Sequence, residues 1–512
     1  MTQPPENQDA QQDRQNLTHR TFMGLFWAFS GSGMQAVLKL VVLGFLARLL
    51  TEADFGIVAL CFTVVSFTDM FAKLGIGLAI VQREVIEERH IRVGFSLTII
   101  LSVAFAALLW ALSPLIATFY GEPTLIPLLR VLAFGLLIDG AGGIARSLAN
   151  RDLNFRLRAG TEAVSYFMGY GLVSIGLGYL NFGPWALVIG VIAQKVISSV
   201  IFLFSKPHPK MPQFDRDAAA HLIYYGSGYS LSDILFRGAS QGDYIVVGRA
   251  LGAAALGTYQ KAYQLMVLPA TLFGSALDNV LFPAMSKVQN DKKTIGTVYR
   301  RGVAFTALFT LPASVALFIF AREYVLILLG SQWTGAILPF QILAIGMIFR
   351  QSSSMSDSLI RAKGAVYNRA WRQGIYAACV IVGAIIGQRW GITGVATGVL
   401  SALLINAVLM VQLSLKLTGM SWRVFAQANL QASLLTGVVL VESWVLANFL
   451  RGLDVPSLLI VLVAGCVIAV SALSLIWFFP KATLGADGIW IVQLVGKYLP
   501  KRIGRKLAQL HA

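Results

Sequence analysis

Charge is scarce in this 512-residue chain: 13% of its residues are charged, about half the usual share of a soluble domain. A water-soluble fold of this size is thereby excluded. Cysteine is scarcer still. Cys61, Cys379 and Cys466 each lie inside an apolar run and read as small core side chains, not as disulfides or metal ligands. The five histidines, His19, His90, His208, His221 and His511, fall in or near polar loops and tails. A histidine metal centre or a histidine proton relay at depth is therefore not expected. There is no phosphate-binding Gly-Lys-Ser/Thr loop, so no ATPase drive. No polar connector exceeds about 20 residues, which leaves no room for a soluble catalytic domain. The chain reads as a non-enzyme that needs no cofactor and no metal.

What is abundant is apolar sequence, at 56% of residues, gathered in runs long enough to cross a ~30 Å hydrocarbon layer. The expected class is an all-α polytopic membrane protein, since a β-barrel would show short alternating segments instead. About fourteen spans are expected, near 22–46, 57–81, 93–118, 124–149, 160–180, 184–204, 221–247, 258–282, 298–320, 336–361, 368–388, 392–416, 427–449 and 457–479. Alternate connectors are rich in Lys and Arg, as at Arg83, Arg89 and Arg92 or at Lys287, Lys292 and Lys293. The others carry little beyond Arg48, Arg249, Arg322, Arg389 and Arg451. The positive-inside rule puts the first set, and both termini, in the cytoplasm. The net charge of +17 is then mostly topogenic, and no nucleic-acid partner is needed to explain it.

The expected organisation follows. Residues 1–20 are a disordered cytoplasmic tail; their acids Glu6, Asp9 and Asp13 argue against a signal peptide. Residues 21–205 form an N-lobe of six helices, 206–220 a proline-rich cytoplasmic linker, and 221–418 a C-lobe of six more. Residues 419–480 carry two further helices, and 481–512 a basic tail suited to an anionic lipid surface.

The two-lobe reading rests on internal repetition. Arg48, Leu50, Ala53 and Gly56 recur as Arg249, Leu251, Ala254 and Gly257. Phe182-Gly183 with Gly190 is echoed by Trp390-Gly391 with Gly398. A repeat of roughly 200 residues marks a two-lobed transporter. Gly31-Ser32-Gly33 and Gly226-Ser227-Gly228 open corresponding helices, and the second of these also carries Asp233, Arg237, Ser240, Gln241 and Asp243. Such groups must face protein or water; close packing through small residues is the alternative reading of the glycines.

Few charges lie at membrane depth: Lys39, Asp69, Lys73, Asp139, Arg146, Lys195, Asp233, Arg237, Asp243, Arg350, Asp357 and Glu442. Asp69 with Lys73 and Asp233 with Arg237 can pair along a helix turn. Lys39 and Lys195 have no acid at that spacing, so an anionic substrate is one candidate for their counter-charge. Asp139 and Arg146 share one helix face; Arg350 and Asp357 share another with the signs swapped. This permits either a gate of crossed pairs or independent local partners.

The segments ARLLTEADFGIVAL (47–60), LGIGLAIVQRE (74–84), RSLANRDLNFR (146–156), GDYIVVGRALGAAALGTYQKAYQLMVLP (242–269) and VLFPAMSKVQND (280–291) resemble the polysaccharide exporters of the multidrug/oligosaccharidyl-lipid/polysaccharide (MOP) superfamily. The likeness is greatest to Wzx-type flippases of the colanic-acid and teichuronic-acid exporter group. The resemblance implies two pseudo-symmetric six-helix lobes plus two C-terminal helices. It implies alternating-access translocation of an undecaprenyl-diphosphate-linked oligosaccharide across the bacterial inner membrane, for exopolysaccharide, capsule or O-antigen synthesis. Membrane lipids, a polymerase and a chain-length regulator are the other implied partners. By helix and depth, Lys39, Lys73, Arg237 and Arg350 are the substrate-binding candidates. Asp69, Asp139, Arg146, Asp233, Asp243 and Asp357 are the gate or coupling candidates. The alternatives are an ion-coupled drug or small-cation antiporter of the same superfamily, which would use Asp69 and Asp139, and a membrane-bound polysaccharide polymerase, which lacks its external loop here.

Overall fold

The structure, a computed structural model, describes residues 35–83, 86–152, 154–209, 215–430, 432–480, 482–485 and 487. Many side chains between 218 and 239 and between 270 and 287, and those of Phe155 and Val366, fall outside that description. Gly31-Ser32-Gly33, the tail 1–20 and most of 481–512 also lie outside it.

Among the described residues the fold is helical, without strands. Two compact units part at Ile234 and Leu235. In the first, α1 (35–49) leads to α2 (Glu52–Lys73), α3 (Ile76–Gln82), α4 (Glu88–Tyr120) and α5 (Leu125–Arg151). Then come α6 (Phe155–Ser165), a π-helical stretch Tyr166–Val173, α7 (Ser174–Tyr179) and α8 (Pro184–Ser205). The 72-residue α9, Arg216–Lys287, carries the division. Its start belongs with the first unit for a packing reason. Ala219 and Leu222 sit in the core cluster of Ile76, Ile80, Val93, Leu97 and Ile144. The division of contacts thus falls inside α9.

The second unit continues with α10 (Lys292–Ile319), α11 (Ala321–Leu328), a 3-10 turn Ser331–Ala336 and α12 (Ile337–Ala362). It ends with α13 (Val366–Gly387), α14 (Gly391–Thr418), α15 (Trp422–Leu430), α16 (Ser433–Gly452) and α17 (Ser457–Phe478). α12 and α13 pack on α14, α10 packs on α12, and α16 lies against α10 and α17. Glu323 of α11, with its side chain only 3% exposed, takes both arms of Arg451 from α16, each at 2.8 Å. Arg451 also donates to the Ile319 carbonyl at 2.9 Å. This forked pair fixes α16 against the α10–α11 corner.

The two sequence echoes both resolve into helix starts. Thr51 opens α2 with a capping box: its hydroxyl accepts from the Asp54 amide at 3.2 Å, and Asp54 accepts from the Thr51 amide at 2.9 Å. Where the second copy stands, the turn is made by Gly252, whose φ of 85° breaks α9 in two. Gly183 before α8 and Gly391 at the first position of α14 likewise sit at φ 54° and 68°. Gly226-Ser227-Gly228, by contrast, does not interrupt α9.

Nine helical stretches are long and apolar enough to cross a membrane among the described residues, one of them, Tyr367–Thr418, taking in both α13 and α14. Outward apolar side chains are plentiful: Leu458, Val470, Leu473 and Phe478 of α17 are all more than half exposed. In water a face of this extent is unusual; against hydrocarbon it is the ordinary surface. The chain is a multi-pass helical membrane protein.

Candidate functional site: the buried charges of each unit

In the first unit the buried charges converge on Asp139 of α5. Lys195 of α8 donates to its Oδ2 at 2.6 Å and Lys73 of α2 lies 3.7 Å from the same oxygen. Arg146, two turns along α5, stands 3.7 Å from Oδ1. Lys73 also bonds Asp69 at 2.7 Å. Three cations thus face two acids, and the cluster keeps one positive charge in excess. Asp139 has an 8% exposed side chain, whereas that of Lys73 is 40% exposed. The acid is the sealed member, and the wet side of the cluster is cationic. Lys195 lacks an acid on its own helix and finds one on α5. A single-helix spacing test could not see that.

Lys39 of α1 is exposed and holds its Nζ 6.0 Å above the Tyr166 ring, in the π-helical stretch. That stretch brings Gly169 so close to α8 that a Cβ there would overlap the Gln194 backbone. Nearby, Gln35 donates to Glu162 at 3.2 Å, and Arg158 pairs with the same acid.

The second unit holds Asp243, Arg350 and Asp357, each with local partners. Asp243 is 1% exposed and accepts from the Tyr259 hydroxyl at 2.7 Å. Tyr244 meets Tyr259 and Tyr263 edge-on at 6.0 and 5.9 Å. Arg350 of α12 donates to the Tyr263 hydroxyl at 2.8 Å. Asp357, two turns below, pairs with Arg361 at 3.1 Å and with Arg369 of α13. Arg350 and Asp357 line one cavity of about 200 Å³ with Ser240, Ser353, Ser354, Arg369, Gln373, Tyr376, Leu403 and Asn406.

Of the sequence candidates, Asp69, Lys73, Asp139 and Arg146 are therefore brought together, as are Arg350 and Asp357. The acids Asp139 and Asp357 each answer to cations of their own unit, the local-partner alternative to a crossed gate. Asp233 and Arg237 lie on α9, outside the residues whose side chains are described. Sequence reading missed the tyrosines that receive Asp243 and Arg350. It also missed Asn406, an amide in the middle of the apolar run of α14, which was the available signal. Among the described residues no carboxylate lies within ion-pair distance of Lys39 or Arg350.

Two units built of long apolar helices, each burying a cluster of charged side chains, fit a membrane transporter. Solved structures agree on the fold. The lipid II flippase MurJ in an inward closed conformation superposes with TM-score 0.69 at 15% identity, over 88% of this chain and 98% of that one. A multidrug resistance MATE family transporter of the MOP superfamily, inward-facing, gives 0.62 at 15% identity, over 77% and 98%. Residues 45–338 match the family described as "Polysaccharide biosynthesis protein", and the chain belongs to that family. Its relatives include the lipopolysaccharide biosynthesis protein WzxC of Escherichia coli K12, 24% identical over 85% of this chain and 89% of that protein. The succinoglycan biosynthesis transport protein ExoT of Rhizobium meliloti is 26% identical over 84% and 87%.

Proposed function

We propose that this protein is a flippase that carries an undecaprenyl-diphosphate-linked oligosaccharide across the bacterial inner membrane by alternating access, without catalysing a reaction. The observation that carries the reading is a cation in each unit, Lys39 and Arg350, proposed to lie at membrane depth and with no carboxylate within ion-pair distance among the described residues. A charge at that depth costs about 2.5–3.5 kcal/mol on insertion scales, so it is retained for a purpose. A diphosphate cannot enter hydrocarbon without cationic donors that replace its hydration, and a low dielectric strengthens the attraction. The names of WzxC, ExoT and MurJ support the same chemistry. Lys73 and Arg237 complete the proposed anion-binding set, Lys73 from the wet, cationic side of the Asp139 cluster.

The decisive test is complementation of a flippase-deficient strain, with lipid-linked intermediate measured on each leaflet. Lys39→Ala and Arg350→Ala should each lower export at unchanged abundance, and Lys39→Arg should do better than Lys39→Ala. Full export by the combined alanine variant of Lys39, Lys73, Arg237 and Arg350 at normal abundance would remove the site.

Orientation is proposed with it: fourteen crossings, lobes over 21–205 and 221–418, and both termini in the cytoplasm. Reporter fusions near 90, 155, 210, 290, 365 and 420 should all report cytoplasm, following the Lys/Arg asymmetry. A periplasmic signal at 210 would invert one lobe and overturn the arrangement.

A further inference from the structure

The first unit carries a guanidinium outside its charge cluster. Arg130 precedes Asp139 on α5 by roughly two and a half helical turns, so the two residues stand on opposite faces of that helix. Its Cζ lies 4.1 Å from the centre of the Trp110 ring of α4. Among the described residues its side chain makes no hydrogen bond, and no carboxylate lies within ion-pair distance. Glu122, the acid of the turn between α4 and α5, accepts from the Thr124 hydroxyl at 2.8 Å.

The surface around the pair is apolar and turned outward. Trp110 is 49% exposed; Val103, about two turns back along α4, is 52% exposed, and Phe134, about one turn along α5, is 58% exposed. In a multi-pass helical membrane protein such a surface meets lipid. Arg130 stands roughly 12 Å along α5 from the middle of that helix, against a hydrocarbon half-thickness of about 15 Å. Its backbone is thus just inside the hydrocarbon edge, and its side chain is long enough to reach the headgroups. Trp110 suits the same level, because an indole favours the membrane–water interface.

The geometry also selects what the guanidinium can bind. Trp110 covers one of its faces, and Nε is sealed from solvent. Nη1 and Nη2 are neither sealed nor bonded among the described residues, so these terminal donors are what the site offers. Paired N–H donors in one plane match two oxygens of a single oxyanion. At the headgroup level of a bilayer that oxyanion is the phosphodiester of a phospholipid. A soluble anion would make no use of the apolar surroundings, and an uncharged lipid would make none of the guanidinium.

We propose that Arg130 and Trp110 form a phospholipid site on the outer surface of the first unit. The guanidinium holds the headgroup phosphate, the indole braces the guanidinium from behind, and the acyl chains run along the apolar surface of α4 and α5. The site is independent of the flippase reading, since it lies on the face of α5 away from Asp139.

The test is native mass spectrometry of the purified full-length protein in detergent, titrated with phosphatidylglycerol, with a diacylglycerol of the same chains, with inorganic phosphate and with undecaprenyl phosphate. Phosphatidylglycerol should bind about tenfold or more tighter than diacylglycerol or inorganic phosphate, and at least as tightly as undecaprenyl phosphate. Arg130→Gln should bring it down to the diacylglycerol level, and Trp110→Leu should weaken it several-fold. Arg130→Lys keeps the charge and loses the paired donors, so it should fall between wild type and Arg130→Gln; it keeps the test valid if the glutamine disturbs folding. Trp444→Leu removes an exposed indole from α16 and should change nothing. Diacylglycerol retained as tightly as phosphatidylglycerol, or binding untouched by both Arg130 variants, would overturn the site and leave a guanidinium that only reaches water. Inorganic phosphate bound as tightly would make it a site for a soluble ion, and undecaprenyl phosphate held tenfold tighter than phosphatidylglycerol would make it a site for the carrier lipid; either result overturns the phospholipid assignment.

Discussion

Asp139→Asn should be among the most damaging single substitutions in the first unit. The carboxylate is the sealed centre of its cluster, with Lys195 at 2.6 Å and Lys73 and Arg146 each at 3.7 Å. The amide keeps the shape and removes the charge, so three cations lose their shared counter-ion and repel one another. Removing one member of a buried pair typically costs about 3–5 kcal/mol. Lys73 and Arg146 are partly wet, which screens their share and moves the expected loss toward the low end. Lys73 retains Asp69; Lys195 retains only a weak contact to the Gly135 carbonyl at 3.5 Å. The damage therefore concentrates on Lys195, and Asp139→Asn combined with Lys195→Met should recover much of it. The measurement is abundance in the membrane together with thermal unfolding in detergent, read as a double-mutant cycle. Additive losses would show that the two residues do not stabilise one another. A variant that accumulates and melts like the wild type yet fails to export would move Asp139 from structure to coupling.

That cluster also shows where sequence reading stops. Composition and run length gave the class, because fixed membrane thickness leaves helices few alternatives. The echoes at 48–56 and 249–257 marked equivalent turns, because each must reverse the chain in few residues. That one uses a Thr51 capping box and the other a left-handed Gly252 was not legible, since different local chemistry makes the same turn. The i,i+4 pair of Asp69 with Lys73 was legible, since both residues ride one helix. The bond of Lys195 to Asp139 was not, since it joins residues 56 apart whose meeting depends on how α5 packs against α8. Tyr259 and Tyr263 stayed hidden for a related reason. In an apolar run a tyrosine reads as bulk until its hydroxyl is seen to hold Asp243 or to meet Arg350.

The second large effect is expected at Gly387. The echo of Gly190 in Gly398 pointed to a glycine the fold needs, and the structure gives the reason. α13 and α14 run antiparallel with their backbones in contact at two rungs, Gly383 against Gly398 and Gly387 against Gly394. A Cβ on Gly383 would lie 2.9 Å from the Gly398 carbonyl oxygen, and one on Gly387 still closer to that of Gly394. The obstacle is backbone, which has no rotamer to retreat into. Small residues spaced four apart permit such approach in a membrane, where van der Waals contact and not hydrophobic burial holds helices together. Replacing a helical glycine by alanine would otherwise gain up to about 1 kcal/mol of helix stability. Overpacking costs about 1–3 kcal/mol, so the clash decides the sign for alanine and dominates for leucine. Gly374 is the internal control: it rides the same helix, and a methyl group added to it would meet nothing within 4 Å. Gly374→Ala should be neutral or stabilising, Gly387→Ala destabilising, and Gly387→Leu strongly so, in thermal unfolding and in membrane abundance. Function should fall with it, because Arg369, Gln373 and Tyr376 of α13 face Leu403 and Asn406 of α14 across the cavity that Arg350 enters. Prising the helices apart at their glycine rungs displaces those walls together. Equal melting of Gly387→Leu and Gly374→Ala would mean that the two backbones do not touch, and the geometry assigned to the cavity would fall with the contact.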